Sequence, residues 1–166
     1  TVRDHQGYID FDSHKDKGTR FTLYFPITRE RAADTRTPAM ETYMGAGERV
    51  LVVDDVAEQR EIASAILTTL GYRVSAVDSG EAAIDYLSRH RADLMVLDMI
   101  MDPGMDGLDT YRRVIQRDPH QKVIIASGFS ETERIRKVLR LGAAMYLKKP
   151  YSIEKIGMAV RSTLNG

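Results

Sequence analysis

The feature that most constrains the fold lies after Glu48, where short apolar runs alternate with stretches of helical periodicity. The runs are Val50-Leu51-Val52-Val53, Tyr72 to Val77, Leu94-Met95-Val96-Leu97, Val123-Ile124-Ile125-Ala126 and Ala143 to Leu147. Several are nearly continuous rather than alternating, as strands are when helices cover both faces of their sheet. Between them, apolar residues recur three or four apart: Ile62, Ile66 and Leu70 before Gly71, then Leu108, Tyr111, Val114 and Ile115. Ile135, Val138 and Leu139 precede Gly142, and Ile153, Ile156, Val160 and Leu164 close the chain. Asp78 stands three residues before Glu81, and Ser130 three before Glu133, the spacing of a capping box. Five strands alternating with five helices predict an α/β domain: a doubly wound parallel sheet, right-handed crossovers, helices on both faces.

Residues 1–28 have a different texture. Tyr8-Ile9-Asp10-Phe11 and Phe21-Thr22-Leu23-Tyr24-Phe25 flank the polar stretch His14-Lys15-Asp16-Lys17-Gly18, which predicts a β-hairpin. Alone, two strands bury too little to be stable. Residues 29–47 lose all periodicity and read as a linker, so the predicted division is 1–28, 29–47 and 48–166. The chain opens at Thr1 in mid-pattern and reads as a piece of a longer protein. Lys+Arg and Asp+Glu both number 24, a balance that argues against nucleic acid or an anionic membrane as partner. With no cysteine, disulfides, thiolate metal sites and thiol nucleophiles are excluded together.

The strand ends carry the chemistry. The first strand of the α/β zone ends in Asp54-Asp55, the third in Asp98, the fourth in Ser127-Gly128 and the fifth in Lys148-Lys149-Pro150. In open parallel sheets ligands sit at the carboxyl ends of strands, at the switch point of strand order. Three carboxylates gathered on one rim repel, and a hard divalent cation relieves that repulsion. Oxygen ligands without His or Cys select magnesium, or manganese, over zinc. A lysine and a hydroxyl beside them complete a set suited to phosphoryl transfer, in which a carboxylate attacks in line.

These motifs, together with Val96-Leu97-Asp98-Met99, Pro103-Gly104-Met105-Asp106-Gly107 and Tyr146-Leu147-Lys148-Lys149-Pro150, make the chain from Arg49 onward resemble the receiver domains of two-component response regulators and hybrid histidine kinases. The resemblance implies a flavodoxin-like sheet of order 2-1-3-4-5, with Asp98 accepting a phosphoryl group from a phosphohistidine. It implies Mg2+ (or Mn2+) bound by Asp55, by Asp54 directly or through water, by Asp98 and by the backbone carbonyl of Ile100. Ser127 corresponds to the hydroxyl switch, Lys149 to the phosphate-pairing lysine, Tyr146 to the aromatic switch, and Lys149–Pro150 to a cis bond. The implied partners are a histidine-kinase phosphodonor domain, in cis or in trans, and a histidine phosphotransfer domain. Nucleic acid is not expected. The resemblance further implies a cytoplasmic location. Switching is expected in the face made by the fourth helix, fifth strand and fifth helix. That face or the hairpin would serve as a dimer surface.

The stretch from Thr1 to Pro26, with Asp4-His5-Gln6-Gly7-Tyr8-Ile9 and Lys17-Gly18-Thr19-Arg20-Phe21, looks like the end of a histidine-kinase ATPase domain. Its ATP-gripping glycine boxes are not in this sequence. No enzymatic activity is expected here beyond gain and loss of the domain's own phosphoryl group, and the parent chain is expected to be a histidine kinase, membrane-anchored or not. One departure from the family pattern concerns Pro103, which follows Asp98 by five residues where four is usual. Asp102 is the added residue and a candidate extra carboxylate. Ile100 and Phe129 are expected to line the approach of hydrolytic water and, being apolar, to leave the phosphoaspartate long-lived.

Blander readings stand beside these. Asp54-Asp55 could open a solvated helix, Asp98 could cap a turn, and Lys148-Lys149 could be surface charge. Tyr146 could be a half-buried core residue as readily as a switch. His5, His14, His90 and His120 read as surface residues, and Met95, Met99, Met101 and Met105 as packing. Two other functions compete: a receiver-like adapter that binds without phosphorylation, and a phosphatase working through an aspartyl phosphate. The adapter should have lost at least one of the acid, hydroxyl and lysine positions. The phosphatase usually carries a second Asp two residues after its nucleophile, where Ile100 stands.

Overall fold

A computed structural model describes residues 2, 6–27, 40–128 and 133–166. The chain divides into two compact units, Thr1–Arg36 and Thr37–Gly166. His5, Phe129, Ser130 and Pro38 fall outside the described residues, and with them the capping expectation at Ser130 and the role expected of Phe129.

The first unit contains an antiparallel hairpin of β1 (Tyr8–His14) and β2 (Gly18–Tyr24). Asp16 in its three-residue turn and Gly18 at the start of β2 take positive φ, where a short polar side chain and a glycine are tolerated. Register pairs Ile9 with Leu23 and Phe11 with Phe21, four residues of one face, while Tyr8 pairs with Tyr24 on the other. All seven residues of each strand are exposed.

The second unit is a five-stranded parallel sheet: β3 (Arg49–Val53), β4 (Arg73–Val77), β5 (Leu94–Asp98), β6 (Val123–Ser127) and β7 (Met145–Lys148). The spatial order is β4-β3-β5-β6-β7, which is 2-1-3-4-5 when counted within the sheet. The helices are α1 (Ala57–Thr69), α2 (Gly80–Arg89), α3 (Gly107–Arg117), α4 (Glu133–Arg140) and α5 (Ile153–Asn165). Alternate strand residues feed two cores. Val50, Val52, Leu94, Val96 and Ile124 pack with Ala63 and Leu67 of α1 and with Ile156 and Val160 of α5. Leu51, Val53, Met95, Leu97 and Ile125 pack with Ala83 of α2, Tyr111 and Val114 of α3, and Ile135 of α4. Covering on both faces is the physical reason β3, β5 and β6 read as unbroken apolar runs, whereas the edge strand β4 stays half-exposed. No helix among the described residues is long and apolar enough to cross a membrane.

Three local expectations differ from the structure. Ile62, placed by periodicity in the α1 core stripe, is 56% exposed; the stripe runs through Ala63, Leu67 and Leu70, and Ile62 stands to one side. The cap of α2 is Ser79, whose hydroxyl accepts the Ala82 N–H, and not Asp78. Glu81, expected to complete a capping box, reaches instead into a loop of the functional rim. Residues 40–47, assigned by composition to the linker, pack as part of the second unit. Met40–Tyr43 form a 3-10 turn, Tyr43 is buried against the α1–α5 core, and its carbonyl accepts the Tyr72 hydroxyl.

Candidate functional site

Register brings the strand-end residues together. Val53 pairs with Leu97, Asp98 with Ala126, and Ser127 with Lys148. Asp54, Asp98, Ser127 and Lys149 therefore fall in a row along one rim of the sheet. Gly107, the first residue of α3, permits the close approach that completes this rim, because a Cβ there would run into the Asp98 carbonyl and the Met99 Cα.

Asp54, Asp55 and Asp98 each offer one carboxylate oxygen within 4.8 Å of the other two. Lys149 Nζ donates to Asp54 Oδ2 at 2.6 Å and lies 3.2 Å from Asp98 Oδ2. The side chains of Asp54, Asp98 and Lys149 are only 4%, 10% and 10% exposed, which argues against a solvated helix start at Asp54 and surface charge at Lys149, whereas Lys148 is exposed and fits the surface reading. Remaining oxygens are fixed by the backbone: Asp54 Oδ1 accepts the Val56 N–H at 3.0 Å, and Asp98 Oδ1 accepts the Met99 N–H at 2.8 Å. Asp55 Oδ2 accepts the Asp102 N–H at 3.1 Å. Burial pushes the Asp98 carboxyl above its ordinary range; Lys149 pulls it down, and the charge of Asp54 pushes it up again.

Three carboxylates against one ammonium leave −3 + 1 = −2 when all are ionised, a deficit that one divalent cation cancels. Asp55 Oδ1 is buried and has no hydrogen-bond partner, one of two such side-chain oxygens among the described residues. A buried carboxylate oxygen without a donor is costly unless a cation faces it. The donor set is all oxygen, which suits magnesium. The residues present therefore fit a hard divalent cation.

Ser127 ends β6 and is buried; its carbonyl accepts the Lys149 N–H at 2.8 Å and the Tyr146 hydroxyl at 3.4 Å. Tyr146 is half-buried against the core formed by α2, α3 and α4. Ile100, 50% exposed, borders an open groove together with Val56, Ile62, Asp98, Pro150 and Tyr151. The Lys149–Pro150 peptide is cis, as is Asp102–Pro103. His14, His90 and His120 are exposed, while Met95, Met99 and Met101 are buried in packing.

Sequence reasoning missed three contributors. Arg60 of α1 donates to the carbonyl of Asp54 at 2.6 Å and so braces the acid pair from behind. Tyr151 sits half-buried beside the groove, its hydroxyl pushed up to about 12 by burial and then by the charges of Asp54 and Asp98. Glu81 accepts the Met105 N–H at 3.0 Å. Only Tyr151 had a usable signal for this role, an aromatic directly after Lys149-Pro150; Arg60 is an ordinary helix charge in sequence, and the spacing of Glu81 pointed to a cap and not to a loop contact.

The fold and this rim define an α/β domain with an acidic, lysine-bearing site at its switch point. Residues 50–161 match the response regulator receiver domain. Sporulation initiation phosphotransferase F of Bacillus subtilis is 33% identical over 117 residues, 70% of this chain and 94% of that protein. The receiver domain of the Francisella response regulator 1452 superposes with a TM-score of 0.66 at 25% identity, covering 72% of this chain and 98% of that one. Sensor kinase CckA of Brucella abortus is 30% identical over 168 residues, 95% of this chain but 18% of that kinase. The chain belongs to the response regulator receiver domain family. Its function is phosphorelay signalling, in which receiver domains take phosphoryl groups from histidine kinases or phosphotransfer proteins.

Proposed function

We propose that Asp98 is the acceptor and that Asp54, Asp55, Asp98 and the Ile100 carbonyl hold Mg2+, with Mn2+ able to replace it. The observation carrying this reading is the uncompensated acid cluster, closed on one side by Lys149 and left with the bare Asp55 Oδ1. When bound, the cation supplies charge neutralisation for the phosphoryl oxygens. A carboxylate oxygen of Asp98 attacks the phosphorus of a phosphohistidine, forming the P–O bond of an acyl phosphate as the P–N bond breaks. The departing electron pair stays on the imidazole nitrogen, which takes up a proton. Lys149, released from Asp54 or Asp98, pairs with a phosphoryl oxygen, and the Ser127 hydroxyl donates to another. Movement of Ser127 toward the phosphate draws on Tyr146, whose hydroxyl already rests on the Ser127 carbonyl. That shift biases the face of α4, β7 and α5.

Residues 1–28 are the tail of a histidine-kinase ATPase domain in this reading, 29–47 the connection, whose residues 40–47 pack onto the following unit, and 48–166 the receiver. The similarity to sensor kinase CckA supports it, since the match runs through the hairpin as well as the receiver. The phosphodonor is then the parent kinase's own histidine or one in trans, the reaction is cytoplasmic, and a histidine phosphotransfer domain takes the group onward. Incubation with a small-molecule phosphodonor and Mg2+, followed by intact mass, tests the acceptor. Wild type gains one phosphoryl group and Asp98→Asn gains none; a phosphorylated Asp98→Asn protein refutes the assignment.

A further inference from the structure

We infer that the lengthened loop after Asp98 is a positioning device for Asp55, working through the backbone N–H of Asp102 and held from α2 by Glu81. It rests on the reading of Asp55 as a cation ligand and extends it to how that ligand is oriented. The Asp102 N–H holds Asp55 Oδ2 at 3.1 Å, and the other oxygen, Oδ1, is the buried one without a partner. A carboxylate tied by one oxygen cannot rotate freely, so the loop determines which oxygen is left for the cation. The Asp102 side chain does not do this work. It is exposed, and the acid group able to share an ion consists of Asp54, Asp55 and Asp98 without it. The extra residue thus contributes a backbone donor where its carboxylate was the expected contribution.

The loop needs an anchor, because Asp102, Pro103 and Gly104 are exposed and bury nothing. At one end Met101 is 5% exposed in the core. At the other, Glu81 Oε1 accepts the Met105 N–H at 3.0 Å. Gly104, at φ +121°, lets the backbone pass so close that a Cβ there would stand 3.3 Å from the Glu81 carboxylate. Glu81 lies in the first turn of α2, where the helix dipole favours its negative charge and the Ser79 cap fixes the turn. A rigid helix therefore reaches the cation site by way of Glu81, Met105, Asp102 and Asp55. Groups that orient a ligand without touching the ion typically change metal affinity when removed.

Calorimetric Mg2+ titration of the full chain tests this, with melting in metal-free buffer to confirm folding. Glu81→Ala and Asp102→Pro, which delete the anchor and the donor, are expected to weaken Mg2+ by about 10-fold. Glu81→Gln keeps an acceptor oxygen while losing the charge, and Asp102→Ala keeps the N–H while losing the carboxylate; both should stay within about twofold of wild type. Should Asp102→Pro fail to fold, the contrast between Glu81→Ala and Glu81→Gln decides alone. Wild-type affinity in Glu81→Ala, or equal weakening in Glu81→Gln, overturns the anchor. Weakening in Asp102→Ala overturns the backbone assignment. If Asp55→Ala binds Mg2+ as well as wild type does, or wild type binds none, the cation site itself fails, a result distinct from failure of the loop alone.

Discussion

Strand β3 has an ion pair at each end, and the two pairs behave oppositely. At its start Arg49 meets Asp93 through a two-pronged contact, with Nη2 to Oδ1 at 2.9 Å and Nε to Oδ2 at 3.2 Å, and a third bond from the Arg49 N–H at 2.7 Å. That pair is balanced and open to water, 48% and 38% exposed, and Arg49's hydrogen bonds hold the Asp93 carboxyl below its ordinary range. Just past the other end, Lys149 serves Asp54 and Asp98 at once, with all three side chains nearly buried and Asp98 pushed upward. The first arrangement is complete in itself. The second is short of positive charge, and that shortage distinguishes a site whose residues fit a cation from a structural clasp.

The largest expected effect comes from widening the shortage. Lys149→Ala leaves two buried carboxylates without their cation, and urea denaturation in metal-free buffer should show a loss of about 3–5 kcal/mol. Mg2+ should restore more stability to this variant than it adds to wild type. Next, Mg2+ at 100 times its dissociation constant should stabilise wild type by about 2.7 kcal/mol, reversed by chelator and missing in Asp55→Ala. No such response is expected from the Arg49 end.

Asp98→Asn should raise the metal-free melting temperature at pH 7 by about 2–4 °C, since a folded carboxyl that resists ionisation costs stability once ionised. In sign, the folded chain holds its Asp98 proton above the ordinary carboxyl value, so stability falls as pH rises through the raised folded value. The gain in Asp98→Asn should therefore vanish in acid. Asp93→Asn should do the reverse and least, losing at most ~1 kcal/mol at pH 7, with high salt shrinking the loss. Asp93's depressed carboxyl stabilises above its ordinary value, and that contribution disappears as pH falls through the folded one. Melting curves of both variants across pH would sink the comparison if their differences from wild type shared a sign.

Much of this was legible because the chemistry sits where strand patterns end. Leu94 to Leu97, one apolar run among five that alternate with helical patterns, read as a strand covered on both sides, and that placed Asp98 after it at the rim. Periodicity was a poorer guide at the margin of a helix. Ile62 and Ala63 are neighbours in sequence, and it is the face α1 turns to the core that leaves the small residue buried and the large one exposed. Asp78 and Ser79 are both competent caps, and the choice rests on where the turn begins. At Asp102 the added residue was visible in the sequence, yet composition points to side chains and the contact is made by an N–H. Arg60 and Glu81 act on distant backbone, which no local spacing reveals.

Asp98 closes β5, the middle strand of the sheet, and every residue of that strand is buried between neighbours on both flanks. A bulky anion arriving there meets a floor that cannot yield without unpicking two ladders of backbone bonds. The disturbance has to be carried outward by the connections above the rim. On the proposed reading, the message is written on the most deeply enclosed strand and is read from the elements that still reach the surface.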